Sequence, residues 1–267
     1  MIGSTFAGFT VLERINHGGM ADIYLVADSR DQRFILRVML PEFRNDRKRL
    51  RQFAWGCEVL AKLDHPNVVK FFGSGEFLET VFAIFEFVDG SNLRERLLRA
   101  DPLLKTHRQR LLLGMAAGLA HIHNRGFLHL DFKPENVLIP RSYDPKIVDF
   151  DLALVRPEEP KRHLITAGTP AYWSPEQIAR QPFDERADVF AFGITAYELV
   201  TGKKPVTGNS REELLEKYMK FDEHLVPPRQ RAPDCPRPLE RIILKCLEKD
   251  MHRRYPSMSL VVRDLQT

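Results

Sequence analysis

The spacing of hydrophobic and polar positions changes about one third of the way along the chain. Before residue 89, short apolar runs alternate with turn residues, which predicts strands at 9–15, 22–27, 33–39, 68–72 and 80–87. Residues 47–63 instead repeat apolar side chains at helical spacing, and the residues of one face are Phe53, Cys57, Leu60 and Leu63. The first third of the chain is therefore predicted to be strands around one helix.

The rest of the chain is predicted to be mainly helical. Residues 106–124 form an amphipathic helix, and residues 188–200 are apolar on nearly every side, which is typical of a helix buried inside a domain. Asp89-Gly90-Ser91 predicts a turn that joins two lobes. Strands followed by helices indicate an α+β fold. We predict a single domain over residues 1–267, with an N-lobe at about 1–88 and a C-lobe at about 89–267.

Composition adds expectations about location and partners. The chain has 267 residues and a net charge of only +4, so we expect no nucleic-acid partner. Its three cysteines (Cys57, Cys235 and Cys246) include no CxxC pair, which is typical of free thiols in a reducing compartment. There is no apolar run of 18 residues and no signal-peptide pattern. These features predict a cytoplasmic location and no membrane segment in this chain.

The strongest chemical pattern is the run His-Leu-Asp-Phe-Lys-Pro-Glu-Asn at 129–136, which resembles the protein-kinase catalytic loop H-R-D-L-K-P-E-N. The chemistry requires an aspartate that orients and deprotonates the substrate hydroxyl, and an asparagine five residues later that holds a metal ion. Asp131 and Asn136 have that spacing, and Lys133 adds a positive charge near the transferred phosphate.

Further kinase-like motifs follow in order. Asp149-Phe150-Asp151 resembles D-F-G, the motif whose aspartate binds magnesium, and residues 168–176 resemble the end of a kinase activation segment. Asp188 fits the buried helix that supports the catalytic loop, and Arg254 fits the arginine that pairs with Glu176. The resemblance extends from about residue 9 to 265 and favours the serine/threonine branch, in particular its bacterial members.

This resemblance implies a two-lobed protein-kinase fold, with a small β-rich N-lobe and a larger helical C-lobe. It implies ATP and Mg²⁺ as cofactors and a protein substrate or protein partner. By position, Asp131 and Lys133 are implied to be catalytic and Asn136 and Asp149 to be metal ligands. The residues implied to bind the nucleotide are Gly18, Gly19, Ile23, Ile35, Arg37, Glu86, Val88 and Leu138.

The nucleotide-binding half departs from the family pattern. Asn16 stands at the first glycine of G-x-G-x-x-G, which hinders close approach of the backbone to phosphates. Arg37 stands at the lysine of V-A-I-K, where a wide planar fork replaces a compact ammonium group. Ile35 replaces the alanine above the adenine ring and is expected to narrow that pocket.

The glutamate that normally pairs with this lysine is also missing. Counting back from His65-Pro66-Asn67 places Gly56 at its position, and Gly56 shares the inner face of the helix. Glu58 points roughly 160° away from Gly56. A two-residue shift would restore Glu58 but would place Lys62 where an apolar residue belongs.

Asp151 replaces the glycine of D-F-G, and we hypothesise that it pairs with Arg37 instead of a helix glutamate. Leu130 replaces the arginine of H-R-D, so control through a phosphorylated activation loop is not expected. Thr166 is a possible phosphorylation site by position alone.

Three functional hypotheses follow. In the first, the domain binds ATP and Mg²⁺ and transfers phosphoryl groups weakly or not at all, as a pseudokinase-like regulator. In the second, it is an active serine/threonine kinase in which Arg37 replaces the lysine. In the third, it is a scaffold that binds no nucleotide. We further expect that combining Arg37→Lys with Gly56→Glu raises activity.

Overall fold

A six-stranded antiparallel sheet forms the small lobe, in the order β1-β2-β3-β4-β6-β5. The structure is a computed structural model, and it describes residues 2–163, 168–208 and 210–267. The strands of this sheet are β1 Thr5–Phe6, β2 Phe9–His17, β3 Ala21–Ala27, β4 Arg33–Met39, β5 Phe71–Phe77 and β6 Thr80–Glu86.

The two faces of this sheet have different roles. Val26, Leu36 and Ile84 belong to a buried cluster on one face. The register pairs Ile23 with Arg37 and its neighbour Leu25 with Ile35 across β3 and β4. Because side chains alternate along a strand, Ile23, Ile35 and Arg37 share the other face, where all three are half-buried. The sheet thus presents predicted nucleotide-binding residues together.

Strand β5 lies at Phe71–Phe77 rather than at the predicted 68–72. Its sequence contains Gly73 and Gly75, which carry no strand signal, and its pairing with β6 is irregular between Phe71 and Gly73. Val68 forms only an isolated bridge, to Ile147. The apolar run at 68–72 therefore lies mostly before the strand, and the predicted position is wrong for most of β5.

Helix α1, Arg47–Leu60, packs beneath the sheet and ends three residues before the predicted end. Asp46 caps its start by accepting hydrogen bonds from the backbone N–H groups of Lys48 and Arg49. The residues that it buries are Phe53, Gly56, Cys57, Val59 and Leu60. The inner face is thus the predicted one, and Gly56 lies on it.

The large lobe is mainly helical, as predicted. Its helices are α2 Leu93–Leu98, α3 Leu103–Thr106, α4 Arg108–Asn124, α5 Pro175–Ile178, α6 Arg186–Thr201, α7 Arg211–Met219, α8 Phe221–His224, α9 Pro228–Arg231, α10 Arg237–Cys246 and α11 Met258–Leu265. Helix α6 is buried on all sides. A Cβ on its Gly193 would lie 2.8 Å from Cβ of Cys246, so α10 packs very closely on it.

Two small sheets lie between the helices and carry the site loops. The first contains β7 Gly90–Asn92, β9 Val137–Pro140 and β10 Lys146–Ile147; the second contains β8 Phe127–Leu128 and β11 Leu154–Val155. The predicted turn at 89–91 is therefore largely a short strand. A Cβ on Gly90 would lie 2.1 Å from the Ile139 carbonyl oxygen, which explains glycine there. No helix among the described residues is long and apolar enough to cross a membrane.

Candidate active site

The loop that carries Asp131 is held by a buried aspartate on α6. Asp188 accepts hydrogen bonds from the backbone N–H groups of His129 and Leu130, both at 2.8 Å, and its Oδ2 lies 2.9 Å from Nε2 of His123. Burial would raise the pKa of Asp188, but these hydrogen bonds and the nearby histidine charges lower it below the ordinary value. Leu130 is held at a φ of 61°, a conformation that costs energy for a leucine. Asp188 thus fixes the loop backbone.

Three of the predicted site residues meet in this loop. Lys133 Nζ donates to Asp131 Oδ2 at 2.7 Å, and Asn136 Nδ2 donates to the same oxygen at 2.9 Å. Lys133 also donates to the hydroxyl of Thr169, at 2.9 Å, which ties the loop to the end of the activation segment. The Asp131 carboxylate is therefore fixed by two donors.

Asp149 and Asn136 offer oxygen atoms of the kind that Mg²⁺ prefers. The Asp149 carboxylate is exposed and has no hydrogen-bond or ion-pair partner among the described residues. Asn136 uses its amide nitrogen toward Asp131, which leaves its Oδ1 available as a ligand. The described residues contain no group of three or more His, Cys, Asp or Glu side chains that could hold a metal ion. The donor set fits an ion that is also held by substrate phosphates and water.

Arg37 and Asp151 form a bidentate ion pair, which confirms the hypothesised pairing. Arg37 Nη1 lies 2.8 Å from Asp151 Oδ1, and Nη2 lies 2.5 Å from Oδ2. Only 17% of the Arg37 side chain and 10% of the Asp151 side chain are exposed. The Arg37 guanidinium also lies over the ring of Phe53, at 5.0 Å from its centroid.

The charges around this pair act in opposite directions. Burial would lower the pKa of Arg37, but the hydrogen bonds and charge of Asp151 raise it above the ordinary value. Burial raises the pKa of Asp151; Arg37 opposes this, while the nearby charges of Asp149 and Asp131 add to it. Because a guanidinium stays protonated in proteins, the two short hydrogen bonds favour the ionised carboxylate as its partner.

Gly56 lies directly against Asp151. A Cβ at residue 56 would lie 2.9 Å from Asp151 Oδ1 and 3.4 Å from the Asp151 backbone nitrogen. A glycine inside a helix costs about 1 kcal/mol of stability relative to alanine. The close approach of Asp151 explains why residue 56 is nevertheless a glycine. Glu58 is exposed, so the inward position is the one assigned from the sequence. This contact alters the expectation that Arg37→Lys with Gly56→Glu raises activity. A glutamate at residue 56 clashes with Asp151 unless Asp151 is changed too.

The predicted adenine-binding residues come from both lobes. Ile35 is paired with Phe85 across β4 and β6, and Leu138 lies on β9 of the large lobe. Glu86 ends β6, but its carboxylate is already bound by the backbone N–H of Lys70 and by Lys146 Nζ. Both contacts are to Oε1, and the Glu86 backbone N–H donates to the Lys70 carbonyl at 3.0 Å, so neither this oxygen nor the N–H is free for a ligand. Val88 follows in the connection between the lobes, outside the strands.

The glycine-rich loop is a tight hairpin between β2 and β3. The Gly18 N–H donates to the Ala21 carbonyl at 3.1 Å, and a Cβ on Gly18 would lie 2.9 Å from that oxygen. His17 Nδ1 and Asp22 Oδ1 lie 2.7 Å apart at the base of the loop. Gly18 is thus required by the turn itself, whereas Gly19 has open space around it.

Sequence reasoning missed two contacts near the site. Trp55 Nε1 donates to the Ala153 carbonyl at 2.7 Å, which holds α1 against the segment after Asp151. Arg94 on α2 bridges Glu135 of the catalytic loop and Glu198 of α6. Neither Trp55 nor Arg94 belongs to a family motif quoted above. The helical spacing of apolar and polar residues is therefore the only sequence signal that could have indicated them. Thr166 lies outside the described residues.

Comparisons with known proteins agree with this geometry. The chain is 30% identical, over its whole length, to the serine/threonine-protein kinase PrkC of Bacillus subtilis and to the probable serine/threonine-protein kinase PknB of Lactococcus lactis, and it covers 41% and 43% of those proteins. It is 29% identical over 99% of its length to the serine/threonine-protein kinase pkn3 of Myxococcus xanthus, of which it covers 51%. The chain thus spans about half the length, or less, of these relatives.

A match to a protein-family model assigns the chain to a family. The protein kinase domain matches residues 9–264, which includes both lobes and every motif described above. The two-lobed α+β architecture, the loop fixed by Asp188 and the order of the motifs are those that the resemblance implies. The chain belongs to the protein kinase domain family.

Proposed function

We propose that this chain is a serine/threonine protein-kinase domain that binds ATP with magnesium and transfers the phosphoryl group to protein hydroxyls slowly. The observation that carries the proposal is the hydrogen-bonded set of Asp131, Lys133 and Asn136. These residues have the positions and contacts that hydroxyl activation requires, and Thr169 supports Lys133. A domain that had only a structural role would not need this arrangement.

The roles of these residues follow from their chemistry. Asp131 is the base that orients a substrate hydroxyl and accepts its proton. Lys133 supplies positive charge beside Asp131, where it stabilises negative charge on the transferred group. Asn136 and Asp149 would hold magnesium, which neutralises charge on the ATP phosphates when it is bound. Arg37 would contact those phosphates from the small lobe.

A second candidate is a nucleotide-binding regulator without transfer. The specific observation in its favour is that Arg37 is already held by Asp151, at 2.8 and 2.5 Å. Phosphates must share the guanidinium with this carboxylate, and each tenfold loss of rate corresponds to only about 1.4 kcal/mol of barrier. A shared cation can therefore lower transfer by orders of magnitude while binding persists.

Two measurements on the purified chain distinguish these functions. Thermal unfolding is followed with and without ATP and Mg²⁺, and ³²P transfer from ATP to a generic protein substrate is measured in parallel. ATP at a hundred times its dissociation constant adds about 2.7 kcal/mol of stability if it binds only the folded state. The matched variants are Asp131→Asn in the site and Asp144→Asn on the surface.

We expect a stability increase with ATP and Mg²⁺, and slow transfer that is lost in Asp131→Asn but kept in Asp144→Asn. Stabilisation without transfer favours the regulator. No stabilisation at saturating ATP would contradict both and favour a scaffold. Transfer that persists in Asp131→Asn would show that another residue or a contaminant performs it.

A further inference from the structure

Helix α1 approaches the large lobe closely at Gly56. A Cβ there would lie 2.9 Å from Asp151 Oδ1, 3.4 Å from the Asp151 nitrogen and 3.4 Å from the Phe150 carbonyl carbon. Real Cβ atoms essentially never lie within 3.0 Å of such atoms. The Asp151 carboxylate therefore occupies the space that any side chain at residue 56 would need.

The same carboxylate is the partner of Arg37. Its two oxygens accept hydrogen bonds from Nη1 and Nη2, and both side chains are largely buried. Asp151 is thus wedged between strand β4, which carries Arg37, and helix α1, which carries Gly56. The carboxylate beside Arg37 of strand β4 therefore comes from Asp151 of the large lobe.

The identity of residue 37 fits this arrangement. An arginine has five N–H donors in a planar fork, whereas a lysine has three on one nitrogen. Two of the five bind Asp151, and the remaining N–H groups of Arg37 have no hydrogen-bond partner among the described residues. One edge of the Arg37 guanidinium can therefore hold the Asp151 carboxylate while the remaining N–H groups donate to a phosphate.

We infer that Arg37, Gly56 and Asp151 act as one unit, in which Asp151 positions Arg37 for the nucleotide phosphates in place of a carboxylate on α1. This inference rests on the proposed nucleotide binding. The position of the cation then follows residues 149–151 of the large lobe, beside the metal ligand Asp149. Helix α1 contributes space at residue 56 and the Trp55 contact to Ala153, but no charge.

The packing part of the unit is tested without nucleotide. Gly56→Ala is expected to lower the urea midpoint in the natural chain, because the new Cβ must displace Oδ1 of Asp151. In an Asp151→Ala background this oxygen is absent, so Gly56→Ala should not lower the midpoint there. Glu58→Ala, on the exposed side of the same helix, is the control and should behave alike in both backgrounds. Equal losses from Gly56→Ala in both backgrounds would overturn the inference. If Asp151→Ala does not fold, Arg37→Met with Asp151→Ala replaces it, because no buried charge is then unpaired.

The positioning part is tested by the dissociation constant and KM for ATP with Mg²⁺. Asp151→Asn is expected to raise both about tenfold, the equivalent of one charge-assisted hydrogen bond, without changing KM for the protein substrate. Arg37→Lys should weaken ATP binding in the natural chain and much less in the Asp151→Asn background. Independent, multiplicative effects of the two changes would refute a shared role.

The exchange is also tested by reversing it. The triple variant Arg37→Lys, Gly56→Glu, Asp151→Gly restores the arrangement that the family pattern implies. Its ATP affinity and transfer rate should exceed those of the double variant Arg37→Lys, Gly56→Glu by about tenfold or more, the equivalent of relieving one clash or one like-charge contact. Equal values for the two variants would contradict the inference. If the natural chain binds no ATP, the proposed function fails, but the urea measurements still decide whether the three residues form a unit.

Discussion

Replacing Arg254 by lysine tests whether buried hydrogen bonding holds the end of the activation segment. Arg254 is fully buried, and its Nη1 and Nη2 donate to the two oxygens of Glu176 at 2.6 and 2.7 Å. Its other donors bind the backbone carbonyls of Glu248, Arg186 and Lys249. All five N–H groups of the guanidinium are therefore used, and the charge itself is kept in the variant.

The expected cost follows from the count of donors. A lysine ammonium has three N–H groups, so at least two of the five acceptors around residue 254 lose their partner. Each buried polar group left without a partner costs about 1–3 kcal/mol, which gives a loss of about 2–6 kcal/mol in the free energy of unfolding. For a domain of this size, that lowers the melting temperature by about 2–4 °C per kcal/mol.

Urea unfolding at neutral pH measures this loss, because a change in midpoint at constant slope reports stability alone. The matched control is Arg110→Lys, since Arg110 also binds a carboxylate through two nitrogens, at 2.7 and 2.8 Å, but is 54% exposed. Exposed pairs contribute about 0–1 kcal/mol. If Arg254→Lys costs less than about 1 kcal/mol, or no more than the control, the donor count does not determine the stability here.

Three further changes test other parts of the fold. Asp188→Asn should destabilise the chain by about 3 kcal/mol at neutral pH. Because the folded-state pKa of Asp188 lies below its unfolded value of about 3.8, the stabilisation is complete above that pH and the gap to the variant should shrink as the pH falls below it; a gap that does not depend on pH would contradict this. Ala100 follows α2 at a φ of 50°, a left-handed conformation that glycine adopts more easily than alanine. Ala100→Gly should therefore raise the free energy of unfolding by about 0.5–1 kcal/mol. A lower melting temperature for this variant in thermal unfolding would contradict the prediction. Trp55→Phe removes the hydrogen bond to Ala153 and should cost about 1 kcal/mol in urea unfolding, whereas an unchanged midpoint would show that this bond is not needed.

Much of the fold could be predicted because its elements have strong periodic patterns. Strands β2, β3, β4 and β6 and helices α4 and α6 lie where apolar spacing placed them, within a few residues. Strand β5 was misplaced because Gly73 and Gly75 interrupt its apolar pattern, and its pairing is set by β6. The sequence predicts a turn where β7 lies because Gly90 is a turn signal, whereas in the structure this glycine lets the backbone approach Ile139. Such contacts depend on tertiary structure, which local patterns do not contain.

The site could be predicted where a motif sets the spacing of the chemistry. Asp131, Lys133 and Asn136 lie within six residues of one another, so their proximity follows from the loop alone. The pairing of Arg37 with Asp151, 114 residues apart, was reached only as a hypothesis from a missing charge. The use of the Glu86 side chain by Lys70 and Lys146 was not anticipated, because nothing in the sequence places Lys146 beside the end of β6.

The geometry changes how the departures from the family pattern combine. In the sequence, Gly56 stands where the resemblance implies a glutamate, and Asp151 stands where it implies a glycine. In the structure the two residues fit together, because a side chain at residue 56 would have to displace the Asp151 carboxylate. A chain that acquired only one of the two changes would have either an unpaired cation or two carboxylates in contact. Gly56 and Asp151 together therefore leave one carboxylate beside Arg37, and the large lobe supplies it.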